Sequence, residues 1–153
     1  MNRSVRRNDF LLRSLLHAVY WVDESLQSSM EASGLTRIPR SWSLVLVNLA
    51  DGVTRPTKLA QNIGVSRQAM HKTLVEMARQ GLIDVRQDPQ DKRANIVAFS
   101  RKAERLQRAA LSALAHIESE LAARIGGDKL DALKDALASD WGPLIVEPVK
   151  GVE

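Results

Sequence analysis

The chain has 153 residues, of which 44% are hydrophobic and 26% charged, so it can form one domain with a buried core. It contains no cysteine, which excludes disulfides, thiolate metal sites and thiol redox switches. No run approaches the roughly 20 apolar residues of a membrane span, and no apolar stretch with a cleavage site follows the basic start MNRSVRRNDF. We therefore expect a cytoplasmic protein without a membrane partner.

The net charge of +4 is unevenly distributed along the chain. Residues 55–93 carry eight basic and four acidic side chains, whereas residues 109–153 carry four basic and eight acidic ones. A basic centre suits a polyanionic partner such as nucleic acid. A solvated surface is the competing interpretation of the same charges.

The first part of the chain predicts two helices. From Phe10 to Met30 apolar residues recur every three or four positions, on a face broad enough to need a second layer to bury against. Pro39 is expected to open the second helix, since proline is tolerated in the first helical turn, and Asp51-Gly52 is expected to end it.

The next segment has the pattern of a helix-turn-helix. A short third helix over residues 56–62 is followed by a turn at Gly64 and by a fourth helix that runs from Ser66 to about Gln80. The Ser66 hydroxyl is expected to cap the fourth helix, and the small Ala60 lets the two helices cross closely. A helical hairpin in another α protein would show a similar pattern.

The spacing of apolar residues then changes from that of a helix to that of a strand. LIDVRQ and NIVAFS both alternate, and DPQDKRA between them has the composition of a turn, which predicts a β-hairpin. Within it, Ile83 and Val85 are expected to share one face. Ser100 is expected to cap a fifth helix and Asp128 a sixth, before a tail, residues 141–153, without a clear period.

This order of elements predicts a mainly α fold with a small β-hairpin, a winged helix-turn-helix over residues 39–100 flanked by long helices. In such a fold the start of the fourth helix and the hairpin are candidate DNA contacts. Arginine can bind guanine and glutamine adenine in the major groove, a helix N-terminus favours phosphate, and arginine suits a narrow minor groove. The candidate DNA-binding residues are Ser66, Arg67, Gln68, His71 and Lys72 on the helix and Arg86, Lys92 and Arg93 on the hairpin.

Asp91 lies two residues before Arg93 and allows two interpretations. Its carboxylate can orient the Arg93 guanidinium for a minor groove, or it can simply end the turn.

Two stretches, LAQNIGVSRQAMHKTLVEMARQGLI and DPQDKRANIVAFSRKAERL, resemble the multiple-antibiotic-resistance regulator (MarR) family of winged-helix repressors. The resemblance covers roughly residues 36–106, and its more specific part is the match of Asp91 and Arg93 to the D-x-R signature of the family's wing. The chain departs from the family pattern at Phe99-Ser100, where Leu-Thr is more usual, and at Ala103, where glycine is common.

The resemblance implies a ligand-responsive transcriptional repressor that binds DNA as a homodimer. Residues 1–38 and 101–153 would supply dimerisation helices and residues 39–100 the DNA-binding lobe, within one intertwined domain. The apolar character of the terminal helices agrees with a dimer, whose two lobes would contact half-sites of an inverted repeat about 10 bp apart.

The resemblance also implies a cleft for a small ligand, aromatic or phenolic in many family members, between the dimer helices and the lobe. The candidate cleft residues are Arg13, His17, Tyr20, Trp21 and Trp42. Arg13 and Arg40 are candidates to bind a ligand carboxylate. Packing in the core or dimer is the competing interpretation for the aromatic residues, and solvent exposure is the competing interpretation for the arginines.

The sequence predicts no enzyme activity, because it lacks the metalloprotease, dinucleotide, P-loop and nucleophile-elbow motifs. It predicts no cofactor. His116 and Glu120 have the spacing of a metal pair but no third ligand, so no metal site is predicted. The alternative function is a protein-interaction module that keeps the winged-helix scaffold without sequence-specific DNA binding, but the basic Arg67, His71 and Lys72 favour the regulator.

Overall fold

The computed structural model describes residues 10–146 and residue 148. Residues 1–9, 147 and 149–153, which belong to the predicted dimerisation segments, lie outside the described residues. The elements in chain order are α1 (Leu11–Ala32), α2 (Arg40–Ala50), α3 (Pro56–Ile63), α4 (Arg67–Arg79), β1 (Ile83–Gln87), β2 (Asn95–Phe99), a short 3-10 helix (Arg101–Ala103), α5 (Glu104–Ile125) and α6 (Gly127–Ala138). The predicted mainly helical fold with one small antiparallel hairpin is confirmed.

The chain divides into two structural units between Ile117 and Glu118, inside α5. The first unit contains α1 to α4, the hairpin and most of α5. The second contains the end of α5 and α6, where the Lys134 ammonium donates a 2.6 Å hydrogen bond to Glu118.

The start of α6 differs from the sequence-based prediction. The helix begins at Gly127 with Gly126 as its N-cap residue, and no side chain caps it. The predicted cap at Asp128 is therefore wrong. Asp128 lies in the first turn instead, where its carboxylate is favourably placed for the helix dipole.

The hydrophobic core of the first unit joins α2, α3, α4 and the hairpin. Its buried side chains recur with the spacing that places them on one face of each helix or strand. Packing these faces together removes apolar surface from water. They are Val45, Leu49, Leu59, Ala60, Met70, Leu74, Met77, Ile83 and Val97. The helix-turn-helix and the hairpin consequently form one packed lobe rather than two independent motifs.

The turn between α3 and α4 has the geometry that the sequence predicts. Gly64 has φ +76°, a left-handed conformation that favours glycine and ends α3. The Val65 amide then donates a 3.0 Å hydrogen bond to the Ala60 carbonyl. The Ser66 hydroxyl accepts a 3.1 Å hydrogen bond from the Ala69 amide, which confirms Ser66 as the N-cap of α4.

The hairpin pairs β1 with β2 so that Ile83 lies opposite Phe99 and Val85 opposite Val97. Only the first half of the predicted β1 face is buried: Ile83 is 1% exposed, but Val85 is 43% exposed. The central residue of β2 also bonds outside the hairpin, because the Val97 amide donates a 2.8 Å hydrogen bond to the Thr54 carbonyl in the loop before α3.

Ser100 joins the base of the hairpin to the end of α4. Its hydroxyl donates a hydrogen bond to the Gly81 carbonyl and accepts one from the Ala103 amide at 3.2 Å. Its own amide donates to the Leu82 carbonyl at 3.2 Å. The predicted cap is confirmed, although Ser100 caps the short 3-10 helix that leads into α5 and not α5 itself.

Candidate nucleic-acid interface and ligand cavity

The fourth helix exposes its candidate DNA contacts and buries its opposite face. Met70, Leu74 and Met77 fix α4 to the lobe. The exposed positions at its N-terminal end are Ser66, Arg67, Gln68, His71 and Lys72. This end of the helix therefore offers hydrogen-bond donors, positive charge and free backbone amides to a neighbouring molecule.

The hairpin, residues 83–99, forms a wing beside this helix. Arg86 lies on β1 opposite Ile96, and Lys92 and Arg93 lie in the turn; all three cations are exposed. The Gln87 side-chain amide donates a 2.7 Å hydrogen bond to the Lys92 carbonyl, which holds the turn against the strand.

A surface depression of about 330 Å³ joins the fourth helix to the wing. Arg67 and His71 line it from α4, and Val85 and Asn95 line it from the two strands. Two candidate contacts of α4 thus border one concave surface with the wing strands, whereas Arg86, Lys92 and Arg93 do not line it.

The Asp91 carboxylate contacts the backbone of the wing turn. Its Oδ1 atom accepts a 3.1 Å hydrogen bond from the Arg93 amide, and its carbonyl accepts a 2.9 Å hydrogen bond from the Ala94 amide. In the described part of the chain, no ion pair joins Asp91 to the Arg93 guanidinium. Of the two interpretations, this geometry favours closure of the turn, and any orienting role of Asp91 acts through the Arg93 backbone.

Asp88, at the base of the turn, has a role that the sequence analysis did not predict. It is 8% exposed and forms an ion pair with Arg55, the N-cap residue of α3. Its Oδ1 atom accepts a 2.8 Å hydrogen bond from the Gln90 amide, and its own amide donates to the Ala94 carbonyl at 2.9 Å. Asp88 therefore connects the wing turn to the helix-turn-helix.

The predicted ligand-cleft residues differ in exposure. Arg13, His17, Tyr20 and Trp21 are exposed on α1, whereas Trp42 is half-buried against the core of the lobe. Arg40, the second candidate for a ligand carboxylate, pairs with Asp23 at 2.8 Å, and its guanidinium lies 4.4 Å from the centre of the Tyr20 ring.

The first unit contains instead an apolar cavity of about 160 Å³ between α1, α2, the base of the wing and α5. Its apolar lining includes Leu26, Met30, Leu46, Leu82, Phe99 and Leu106, and its polar lining consists of Gln27, Thr36, Ser43 and Gln107. None of the predicted cleft residues, all of which the structure describes, lines this cavity. The cavity lies between apolar side chains of α1 and α5, and the aromatic residues of α1 are not among them.

Within residues 10–146 and 148, no group of three histidine or acidic side chains is placed to hold a metal ion. Among the helices formed by these described residues, none has the length and the hydropathy that a membrane span needs.

Comparisons with known proteins agree with this geometry. Residues 33–94 match a sequence model of the MarR family. No curated protein sequence gives a significant match.

Among solved structures, the transcriptional regulator PA4135 is similar at 20% identity, with a TM-score of 0.68 over 84% of this chain and 93% of that one. CouR from Rhodococcus jostii RHA1 bound to p-coumaroyl-CoA is similar at 20% identity, with a TM-score of 0.65 over 94% of this chain and 100% of that one. The repressor CouR bound to a 23-mer DNA duplex is similar at 26% identity, with a TM-score of 0.64 over 85% of this chain and 91% of that one. The match to the family model includes the complete helix-turn-helix and the wing turn, and over these residues the chain is similar to the MarR family of winged helix-turn-helix proteins.

Proposed function

We propose that this protein is a cytoplasmic transcriptional repressor that binds an inverted-repeat DNA operator as a homodimer and is released by a small ligand. The observation that carries the proposal is the common surface formed by the start of α4 and the wing. The candidate contacts there are exposed and are basic or can hydrogen-bond, and Arg67 and His71 border the same depression as the wing strands. The similar repressor CouR was solved with bound duplex DNA.

The start of α4 would lie in the major groove, with Arg67 and Gln68 at base edges and His71 and Lys72 at phosphates or bases. Arg93, at the exposed tip of the wing, would enter the adjacent minor groove, and Lys92 and Arg86 would neutralise phosphates. The packed core between α4 and the hairpin supports this arrangement, because it fixes the distance between the two contacts.

The homodimer is supported by the apolar surface of α1. Phe10, Leu11 and Leu12 are each more than 60% exposed, and Leu16 and Val19 continue the exposed apolar surface along the helix. A contiguous apolar surface of this kind is typical of an interface, since it is costly to leave in water. Two chains that share this surface would present two lobes to one duplex.

Selection of bound duplexes from a random library with the full-length protein tests the proposal. We expect an inverted repeat whose half-sites are about 10 bp apart, or a multiple of one DNA turn. Fluorescence anisotropy on the selected duplex should then show that log K falls steeply and linearly with log salt concentration, as contacts to phosphates require.

A pair of charge-matched variants makes the test specific. Arg67→Ala should weaken binding to the selected duplex by about 1–3 kcal/mol and relax the preference at one base pair. Lys129→Ala removes one exposed cation from α6 and should leave the affinity almost unchanged. No enriched sequence and no dependence on salt would contradict the proposal and support the protein-interaction module instead.

A further inference from the structure

We propose that the depression between α4 and the wing binds the sugars of one DNA strand, and that two exposed valines in its lining, Val75 and Val85, select deoxyribose over ribose. Neither valine is among the predicted DNA contacts, all of which are polar or charged. The inference rests on the proposed function, because it names the part of the DNA that this surface binds and the means by which DNA is distinguished from RNA.

The first argument is the shape of the depression. Ile83 and Val85 lie on the same face of β1, yet Ile83 is 1% exposed and Val85 43% exposed, so the wing diverges from the lobe toward its tip. On α4, Leu74 is 4% exposed and the next residue, Val75, is 53% exposed. Leu74, Val75 and Val85 all line the depression, which therefore has a buried base and exposed apolar sides.

The second argument is the position of the depression between the two proposed groove contacts. The sugar-phosphate strand of a duplex separates its major groove from the adjacent minor groove. A protein with one helix in the major groove and a wing tip in the minor groove consequently has that strand between the two. With Arg67 at base edges and Arg93 in the minor groove, the strand lies against the surface that joins α4 to the wing, which is the depression.

The third argument is that the lining matches both parts of a DNA strand. Thr57, His71 and Asn95 line the depression, and within the described residues their side chains have no hydrogen-bond or ion-pair partner. Each can donate a hydrogen bond to a phosphate oxygen. Val75 and Val85 offer apolar contact to the carbon atoms of the sugar. The lining that the described residues form contains no acidic side chain to repel a phosphate.

A ribonucleotide in the same place would bring its 2′-hydroxyl against these valines. The hydroxyl would lose water there and gain no hydrogen-bond partner, which lowers affinity. Because both valines are about half-exposed, the loss should be at the low end for an unpaired buried hydroxyl. We expect one ribonucleotide to weaken binding by about fivefold.

The experiment uses the full-length protein and the selected duplex. Single ribonucleotides replace deoxyribonucleotides one at a time along both strands, and fluorescence anisotropy measures each dissociation constant. We expect a few adjacent positions in each half-site at which affinity falls by about fivefold. A 2′-fluoro nucleotide favours the sugar conformation of RNA but carries no hydroxyl, and at these positions it should change the affinity by less than about twofold.

Two variants assign this effect to the depression. Val85→Thr keeps the size and the strand preference of the side chain but supplies a hydroxyl that can bind the ribose, so the loss should shrink to less than about twofold. Val75→Thr makes the same change on the α4 side. Val146→Thr, 89% exposed and outside the lining, is the matched control and should keep the fivefold loss. If circular dichroism melting shows that one lining variant has not folded, the other decides.

The outcomes separate this inference from the proposed function. A selected, salt-sensitive duplex that tolerates a ribonucleotide at every position would overturn the inference and leave the proposed function intact. Equal losses from the ribonucleotide and the 2′-fluoro nucleotide would also overturn it, as would a loss that stays unchanged in both lining variants. Failure to select any duplex would contradict the proposed function and the inference together.

Discussion

Breaking the contact between Asp88 and Arg55 should destabilise the lobe by more than breaking an exposed ion pair of the same kind. The Asp88 side chain is 11% exposed and that of Arg55 is 40% exposed, so the pair lies between a buried and a surface ion pair. Removing one partner of a fully buried pair costs about 3–5 kcal/mol, whereas an exposed pair contributes about 0–1 kcal/mol. For Arg55→Met we expect a loss of about 1–2 kcal/mol in the free energy of unfolding, because Asp88 keeps its hydrogen bond from the Gln90 amide.

The assay is urea unfolding of the full-length protein at one fixed protomer concentration, since the stability of the proposed dimer would depend on concentration. Arg79→Met is the matched control. It removes an arginine from an i, i+3 pair with Glu76, in which the side chains are 70% and 49% exposed, and it should cost less than about 0.5 kcal/mol. Arg55→Met combined with Asp88→Asn should cost less than the sum of the single variants.

The same variants should weaken DNA binding through the position of the wing. Arg55→Met should reduce affinity for the selected duplex at a temperature where the variant is fully folded, whereas Arg79→Met should not. Equal losses of stability for Arg55→Met and Arg79→Met, together with additive costs in the double variant, would refute the reasoning.

Three further variants test other parts of the molecule. Arg93→Ala should weaken duplex binding by about 1–3 kcal/mol while the melting temperature and the dimer stay unchanged; an unaltered mobility-shift titration would exclude Arg93 as a contact. Ser66→Ala removes the cap of α4 and should cost about 1 kcal/mol in urea unfolding, and a cost near zero would show that water replaces the hydroxyl. Leu12→Glu puts a charge on the exposed apolar surface of α1 and should shift light-scattering mass from dimer toward monomer, and an unchanged dimer would place the interface elsewhere.

The elements of the lobe could be predicted because local chemistry determines them. Apolar residues recur every three or four positions in α4 and at every second position in β1, and this change separates the two elements. Gly64 and Ser66 mark the turn between α3 and α4, since a left-handed residue and an N-cap have strong residue preferences. The exposed start of α4 follows from the same pattern, because its buried face is the one that carries Met70 and Leu74.

The contacts that join distant elements could not be predicted in this way. DPQD has the composition of a turn, and nothing in those four letters shows that the Asp88 carboxylate is buried against Arg55. The cavity is a similar case. Leu26 of α1 and Leu106 of α5 both line it, but the space between them depends on how the helices cross, which periodicity does not encode. Trp42, for which the sequence left a ligand cleft and core packing open, packs on the core of the lobe.

The hydrogen bond from the Val97 amide to the Thr54 carbonyl has a consequence for aggregation. It pairs the centre of β2 on the side opposite β1, so that β1 becomes the outer strand of the wing. An outer strand can pair with another chain, and natural proteins often prevent this with charged side chains. Asp84 and Arg86 are such residues, exposed on β1. A substitution of Arg86 intended to weaken DNA binding therefore also removes a charge that protects the strand from edge-to-edge association.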